Sequence, residues 1–305
     1  MEPVLVLCAV EEEATHLREK LARAREVNWQ MPWRCTEGAI GGMEVRLVVT
    51  NIGVANAAAA ASAMLATSPR PCAVVNYGCA GAHDERLYEG DVVLGESVVP
   101  MDAAKILPDG TKKLAGYRCS MSEDVPLALT SDKDLLASAA TLAERLSLPA
   151  WPGRTIAPSV RRGIIGSSDT WTQNRAAIKK IRSMCGTICE EMEAAAIASV
   201  CVSYVTPFLC VKDISNNELH THTGGSDGSH GLANVMSQIG LRASCVVEAL
   251  LIDLGQQQQV GLMPEPPMES LPVPRPPPDL STGEPLLVSK RDSEATGIAG
   301  RRAAL

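Results

Sequence analysis

Three groups of side chains in this sequence are of the types that do chemistry, and each sits at the end of an apolar run. Glu11, Glu12 and Glu13 follow the run Val4 to Ala9. Glu190, Glu191 and Glu193 stand directly before the alanine-rich run Ala194-Ala195-Ala196-Ile197-Ala198. Asp213, Ser215 and Asn216 close the run Pro207 to Val211. A carboxylate can take a proton from water or accept hydrogen bonds from a hydroxylated ligand, and an Asn amide both donates and accepts. Ordinary structure also accounts for these residues. Carboxylates are favourable in a first helical turn, and the stretch 189–200 reads as a helix that begins with three carboxylates and continues in residues of high helix propensity.

Positioning these groups requires strands that alternate with helices. Strands are expected over Val4 to Ala9, Met43 to Thr50, Ala73 to Tyr77, Asp91 to Val99, Arg162 to Gly166, Thr187 to Glu190 and Pro207 to Val211. The continuous apolar runs fit strands covered on both faces. Helices are expected over Ala14 to Ala24, Ala55 to Leu65, Ser131 to Leu146 with Ser131 as N-cap, Asn174 to Met184, the 189–200 stretch, and about Leu232 to Leu254. Gly78-Cys79-Ala80-Gly81-Ala82 reads as a glycine-rich turn after a strand, and residues 103–125 as a polar excursion. The alternation predicts an α/β fold with a largely parallel sheet. Polar clusters recur at strand exits near 13, 51, 78, 169, 193 and 216, which points to one shared site at the sheet's carboxyl edge.

Composition narrows the function classes. The net charge of -7 disfavours nonspecific nucleic-acid binding. No uninterrupted apolar run reaches membrane-spanning length. Met1 to Val10 is too short, and too soon followed by acidic residues, to read as a signal peptide. The ten cysteines lie mostly in apolar runs and contain no CxxC pair, so buried reduced thiols in a cytoplasmic protein are expected rather than a disulfide framework or zinc ribbon. From Gly255 the chain changes character: nine of the twenty prolines fall there with almost no apolar periodicity, so a disordered tail over 255–305 is expected beyond a domain over 1–254. Pro274 to Pro278 fits either an SH3-like groove or solvent.

In order along residues 4 to 252, the short motifs resemble the nucleoside phosphorylase/nucleosidase superfamily, and most closely its 5'-methylthioadenosine/S-adenosylhomocysteine nucleosidase branch. Ala9-Val10-Glu11-Glu12-Glu13 resembles the family's opening Ala-Met-Glu-Glu-Glu. Asn76 to Gly81 resembles its ribose loop, Ser167-Ser168-Asp169-Thr170-Trp171 its Ser-Gly-Asp-x-Phe, Glu191-Met192-Glu193 its Met-Glu helix, and Val211 to Asn216 its Val-Arg-x-Ile-Ser-Asp strand end.

The resemblance implies a three-layer αβα sandwich around a mixed, largely parallel central sheet. It also implies hydrolysis of the N-glycosidic bond of a purine nucleoside without cofactor or metal. Glu13 would activate water, Met192 would pack on the sugar, and Glu193 would hold its hydroxyls. Trp171 would stack on the base. Ser215 and Asn216 would contact the purine. Ile52, Cys79, Ala80, Gly81 and Glu191 would belong to the substrate pocket. The resemblance further implies a homodimer or higher oligomer, with residues 101–125 as candidates for the contact that completes a neighbour's pocket.

The departures open alternatives. The family carries Asp where this chain has Asn216, and an amide is not a general acid. Asp213 is one candidate for that role, and a 6-oxopurine base of the inosine or futalosine type is another consequence. Asn51 and Ser168 stand where glycine is usual. A phosphate-dependent phosphorylase would need convergent arginines, for which Arg46 and Arg86 are available. A non-catalytic nucleoside-binding protein is the third reading, against which stand both Glu13 and Glu193. His220, His222 and His230 form a spacing that metals use, but surface histidines or a loop near the site account for it as well.

Overall fold

The computed structural model describes residues 2–28, 31–116, 128–220 and 235–261. The apolar runs pair into one sheet because each must satisfy its backbone groups on both sides. β1 (Val4–Cys8) lies between β4 (Met43–Val49) and β5 (Ala73–Ala82), parallel to both. β5 continues in parallel to β12 (Phe208–Asn216), which meets β6 (Val92–Pro100) antiparallel. Then follow β10 (Val160–Ser167) and β11 (Thr187–Glu191), each parallel to its predecessor. β3 (Arg34–Ile40) and β2 (Ala22–Val27) extend the other edge antiparallel. β9 (Leu129–Thr130) pairs with β6, and β7 (Ala104–Ile106) with β8 (Lys112–Leu114) forms a separate hairpin within the expected excursion.

The mixed sheet is the expected one, with one feature no local pattern announced. The end of β5 also pairs antiparallel with β11, Gly81 opposite Glu190 and Ala82 opposite Cys189. Strands β5, β12, β6, β10 and β11 therefore close on themselves. The segment 78–82, expected as a turn, is thus the second half of a strand.

Helices cover both faces. α1 (Glu11–Arg18), α3 (Lys133–Ala143) and α6 (Leu241–Gln259) bury one apolar cluster with Val4, Val6, Leu47 and Val75. α2 (Val54–Leu65) and α5 (Ala194–Ser203) bury another with Leu5, Leu7, Val74 and Val93. Their alanines let these helices lie close to the sheet. α4 (Arg175–Cys185) starts at Asn174, whose side chain accepts the Ala177 N–H.

Several boundaries differ from expectation. α1 stops at Arg18, and Ala22–Val27 is an exposed edge strand whose Arg23 and Arg25 pair with Glu44 and Glu37. Sheet pairing there outweighs local helix preference. Asp132, not Ser131, caps α3 by accepting the Asp134 and Leu135 amides, while the Ser131 hydroxyl donates to the Gly95 carbonyl. α6 runs on to Gln259, past the domain boundary drawn at 254. Within it, Gly255 packs against the backbone at Gly41 and Met43, where a Cβ has no room. The remaining tail, 262–305, lies outside the described residues, as do His222 and His230. Among the described residues, no helix is long and apolar enough to cross a membrane.

Candidate active site

The carboxyl ends of the parallel strands frame a cavity of about 230 Å³. Of the expected site residues, Glu13, Ile52, Cys79, Gly81, Trp171, Glu191, Met192, Glu193, Ser215 and Asn216 line it. Positions as distant in the chain as Glu13 and Asn216 are brought together because each follows or ends a strand of one sheet.

Glu13 enters from the first turn of α1 and is buried. Its Oε2 accepts the Ala9 N–H at 3.0 Å and the Val10 N–H at 3.4 Å, and its Oε1 accepts the Cys79 N–H at 2.8 Å. The Tyr77 hydroxyl donates to the Glu13 carbonyl at 2.7 Å. The carboxylate passes so close to β5 that a Cβ on Gly78, where φ is +151°, would collide with it. Backbone donors therefore hold this carboxylate in one orientation.

The second acidic group departs from the expected helix. Glu190 and Glu191 end β11, Glu193 is the N-cap residue of α5, and the helix begins only at Ala194. Glu191 turns its carboxylate onto the start of α5, accepting the amides of Glu193 at 3.1 Å and Ala194 at 2.9 Å. Lys212 sits 3.0 Å from the same carboxylate and 3.9 Å from Glu193. Burial opposes the Lys212 charge, yet Glu191 and the surrounding acidic groups hold its pKa well above the usual lysine range. The carboxylate of Glu191 is thus committed to helix capping and an ion pair, although its residue borders the cavity.

Of Glu191 and Glu193, the latter is left to face the cavity. Its Oε1 accepts the Gly53 N–H at 2.8 Å, which ties the β4–α2 loop to the site. Burial, reinforced by Glu191, pushes its pKa up to about 7. Asp169 accepts the Val54 N–H at 2.7 Å at the start of α2, so the loop that carries Trp171 is anchored to the same wall. Trp171 itself remains about one third exposed, at 37 %, as the mouth of a cavity requires.

At the end of β12, the Ser215 hydroxyl donates to Asn216 Oδ1 at 2.7 Å, and Asn216 Nδ2 donates to Glu218 Oε1 at 3.2 Å. Asp213 does not line the cavity. Strand alternation turns it away from Lys212, and its two oxygens accept the Gly240 and Arg242 amides at 2.9 and 3.0 Å. Burial raises its pKa to about 7, against the pull of those amides. Asp213, expected among the catalytic residues, is thus placed off the cavity wall, where its carboxylate anchors the start of α6. Ala80 is likewise off the cavity wall; its carbonyl accepts from the Ser215 hydroxyl at 3.3 Å.

Arg46 and Arg86, the candidate phosphate ligands, lie elsewhere. Arg46 is buried against Glu37 and Thr67, and Arg86 is paired with Asp84. Among the described residues, no arginine lines the cavity. His220 stacks on Tyr88 with ring centroids 4.5 Å apart.

Sequence reasoning missed Ala9, Val10, Thr170, Met236 and Ile239 in the wall, and it gave Glu190 no role of its own there. Glu190 carried a signal, as a charged residue within a strand that is otherwise covered. Met236 and Ile239 carried none, since they precede α6 and reach the cavity only through tertiary packing.

The chain is similar to known proteins over most of its length. The family model of the phosphorylase superfamily matches residues 3–251. A 5'-methylthioadenosine/S-adenosylhomocysteine nucleosidase of Geobacillus sp. (strain WCH70) is 31% identical over 214 residues, covering 70% of this chain and 84% of the relative. The enzyme of the same name from Staphylococcus aureus (strain JH9) is 28% identical over 252 residues, covering 82% and 99%. Among solved structures, the nucleosidase of that name from Colwellia psychrerythraea 34H, in complex with adenine, superposes with a TM-score of 0.66 at 25% identity, covering 82% of this chain and 94% of its own. A futalosine hydrolase mutant of Helicobacter pylori strain 26695 shares the fold with a TM-score of 0.69 at 17% identity, covering 83% and 100%.

Proposed function

The chain belongs to the phosphorylase superfamily, and from that premise we propose that it is a hydrolytic purine nucleosidase that cleaves the N-glycosidic bond of its substrate. The observation that carries this reading is the pair of buried carboxylates on one cavity, Glu13 and Glu193, each oriented by backbone amides. Breaking the bond between the sugar and the purine leaves positive charge on the sugar and negative charge on the base. Glu13 takes a proton from the attacking water as its oxygen bonds to the sugar carbon. Glu193, when ionised, accepts from the ribose hydroxyls and stabilises the charge that develops there. Trp171 offers its face to the base, and Met192 packs on the sugar. Asn216 donates a hydrogen bond to the departing purine. As an amide it supplies no proton, so the base draws its proton from solvent.

Hydrolysis is favoured over phosphorolysis because the described part of the wall offers no arginine to a phosphate. The test is release of free base from 5'-methylthioadenosine, S-adenosylhomocysteine, adenosine and inosine, with and without phosphate. Release that is independent of phosphate is the expected result. Release only with phosphate would make the protein a phosphorylase and remove Glu13 from water activation. We also place the protein in the cytoplasm, a reading supported by the nine cysteines of the described residues, which form no disulfide with one another. A homodimer is expected from the family resemblance alone, and sedimentation measures it.

A further inference from the structure

Glu190 borders the cavity and has no part in the reaction above. It is buried, at 4% exposure, and strand alternation turns it away from Glu191. Its backbone takes part in the pairing of β11 with β10 and β5, to which its carboxylate adds nothing. A buried ionised group often stabilises a fold no better than an apolar residue of similar size. What sets this carboxylate apart is what its two oxygens meet.

Oε1 accepts the Thr172 N–H at 2.6 Å. That amide is the next one after Trp171 in the loop that joins β10 to α4. Before the indole, the loop is tied where the Ser168 N–H donates to the Glu191 carbonyl at 3.0 Å and where Asp169 accepts from Val54. After it, the Asn174 side chain accepts from Ala177 in α4. The Thr172 bond is the tie beside the indole, and a hydrogen bond to a carboxylate is about twice as strong as one between neutral groups.

Oε2 lies 3.1 Å from His83 Nε2, and both atoms are buried with no hydrogen-bond partner among the described residues. His83 follows β5 and is held from several sides. Its N–H donates to the Ile188 carbonyl at 2.8 Å, its carbonyl accepts from Arg182 of α4 at 2.9 Å, and its Nδ1 lies 2.8 Å from the Thr187 hydroxyl. A fixed imidazole against one oxygen and a backbone amide against the other leave the carboxylate one place to sit.

We propose that Glu190 is a positioning residue that acts through Trp171: braced by His83, it holds the loop at Thr172 and so sets the indole at the mouth of the cavity. It touches no ligand itself. The proposal rests on the reading of Trp171 as the aromatic that stacks on the base.

The test uses Glu190→Ala and Glu190→Gln, each alone and with Trp171→Ala, on methylthioadenosine, adenosine and inosine. Glu190→Ala is expected to raise KM by at least about fivefold, the low end of what base stacking supplies. Its kcat is expected within about twofold of wild type, since binding common to ground and transition state is what is lost. Glu190→Gln keeps a carbonyl acceptor for Thr172 and offers an N–H to His83, so its KM is expected within about twofold of wild type. With Trp171→Ala already made, Glu190→Ala is expected to change KM by less than about twofold, because the residue it acts through is gone. Fluorine NMR of protein labelled with fluorotryptophan reads the loop without any substrate. The Trp171 line, identified by its loss in Trp171→Phe, is expected to shift or broaden in Glu190→Ala and to stay in place in Glu190→Gln. A KM that Glu190→Ala leaves unchanged, an equal rise with and without Trp171, or a Trp171 line that Glu190→Ala does not move overturns the inference. If the wild type cleaves none of the three nucleosides, hydrolysis is overturned, and the fluorine line alone decides the role of Glu190. If circular dichroism shows Glu190→Ala unfolded, Glu190→Leu combined with His83→Phe removes both groups together and is read by the same criteria.

Discussion

The Lys212 ammonium lies 3.0 Å from Glu191 Oε2, with both side chains at 2% exposure. This pair divides the acidic cluster at the end of β11 into two jobs. Glu191 is neutralised and spent on the first amides of α5, and Glu193 is left to face the cavity with Lys212 at 3.9 Å.

Lys212→Met leaves Glu191 buried without its counter-charge. Removing one partner of a buried pair costs about 3–5 kcal/mol, and urea unfolding is expected to show a loss of that order. Adding Glu191→Gln removes the stranded charge while keeping an acceptor for the helix amides. The double variant is therefore expected to recover part of the loss, and a double variant no more stable than Lys212→Met would contradict the pairing argument.

Glu193 gives activity and stability opposite slopes with pH. Its pKa of about 7 in the folded chain exceeds the ordinary 4.5, so between those values the folded state holds a proton that the unfolded state has released. Stability from this group is therefore fully present at low pH and declines as pH rises through that window. The ionised form that accepts ribose hydroxyls grows over the same window, so kcat/KM is expected to rise. Thermal unfolding and kinetics at about pH 5 and about pH 8 measure both. In Glu193→Gln the stability slope is expected to shrink without vanishing, because Asp213, also at about 7, contributes with the same sign.

Gly78→Ala places a methyl group against the Glu13 carboxylate. The carboxylate must leave the three amides that orient it, so base release is expected to fall by at least about a hundredfold, the scale of a lost general base. Glu13→Gln is expected to lose a similar factor while still binding nucleoside. Full activity in both variants would remove Glu13 from the chemistry.

Trp171→Ala removes the exposed aromatic face at the cavity mouth. Base stacking contributes about 1–3 kcal/mol by alanine substitution, so KM is expected to rise by about 5- to 150-fold. Trp171→Phe is expected to retain most of the affinity. Steady-state kinetics on a saturable substrate range read this directly.

Much of this was legible from the chain alone where the signal was local. Apolar runs announced β1, β4, β5, β6 and β12, and the acidic or polar residue at each exit announced the shared edge. The acidic clusters that hold Glu13 and Glu193 were legible in this way, since each sits within a few residues of the strand that positions it, and the family resemblance singled out those two carboxylates. Long-range pairing decided the rest. Gly81 opposite Glu190 turned an expected turn into strand and closed part of the sheet on itself. Ala22–Val27 became an edge strand because β3 was there to pair with it.

The sequence by itself determined which side chains gather at one edge of the sheet, because strand periodicity and strand exits are written in neighbouring residues. Only the tertiary structure decided which of them face the cavity. Lys212 and Asp213 are adjacent in sequence, yet one meets Glu191 and the other the amides of α6. Glu190 and Glu191 are adjacent too, and one borders His83 while the other caps α5. Neighbouring residues of a strand point to opposite sides, and what waits on each side is supplied by segments far away in the chain.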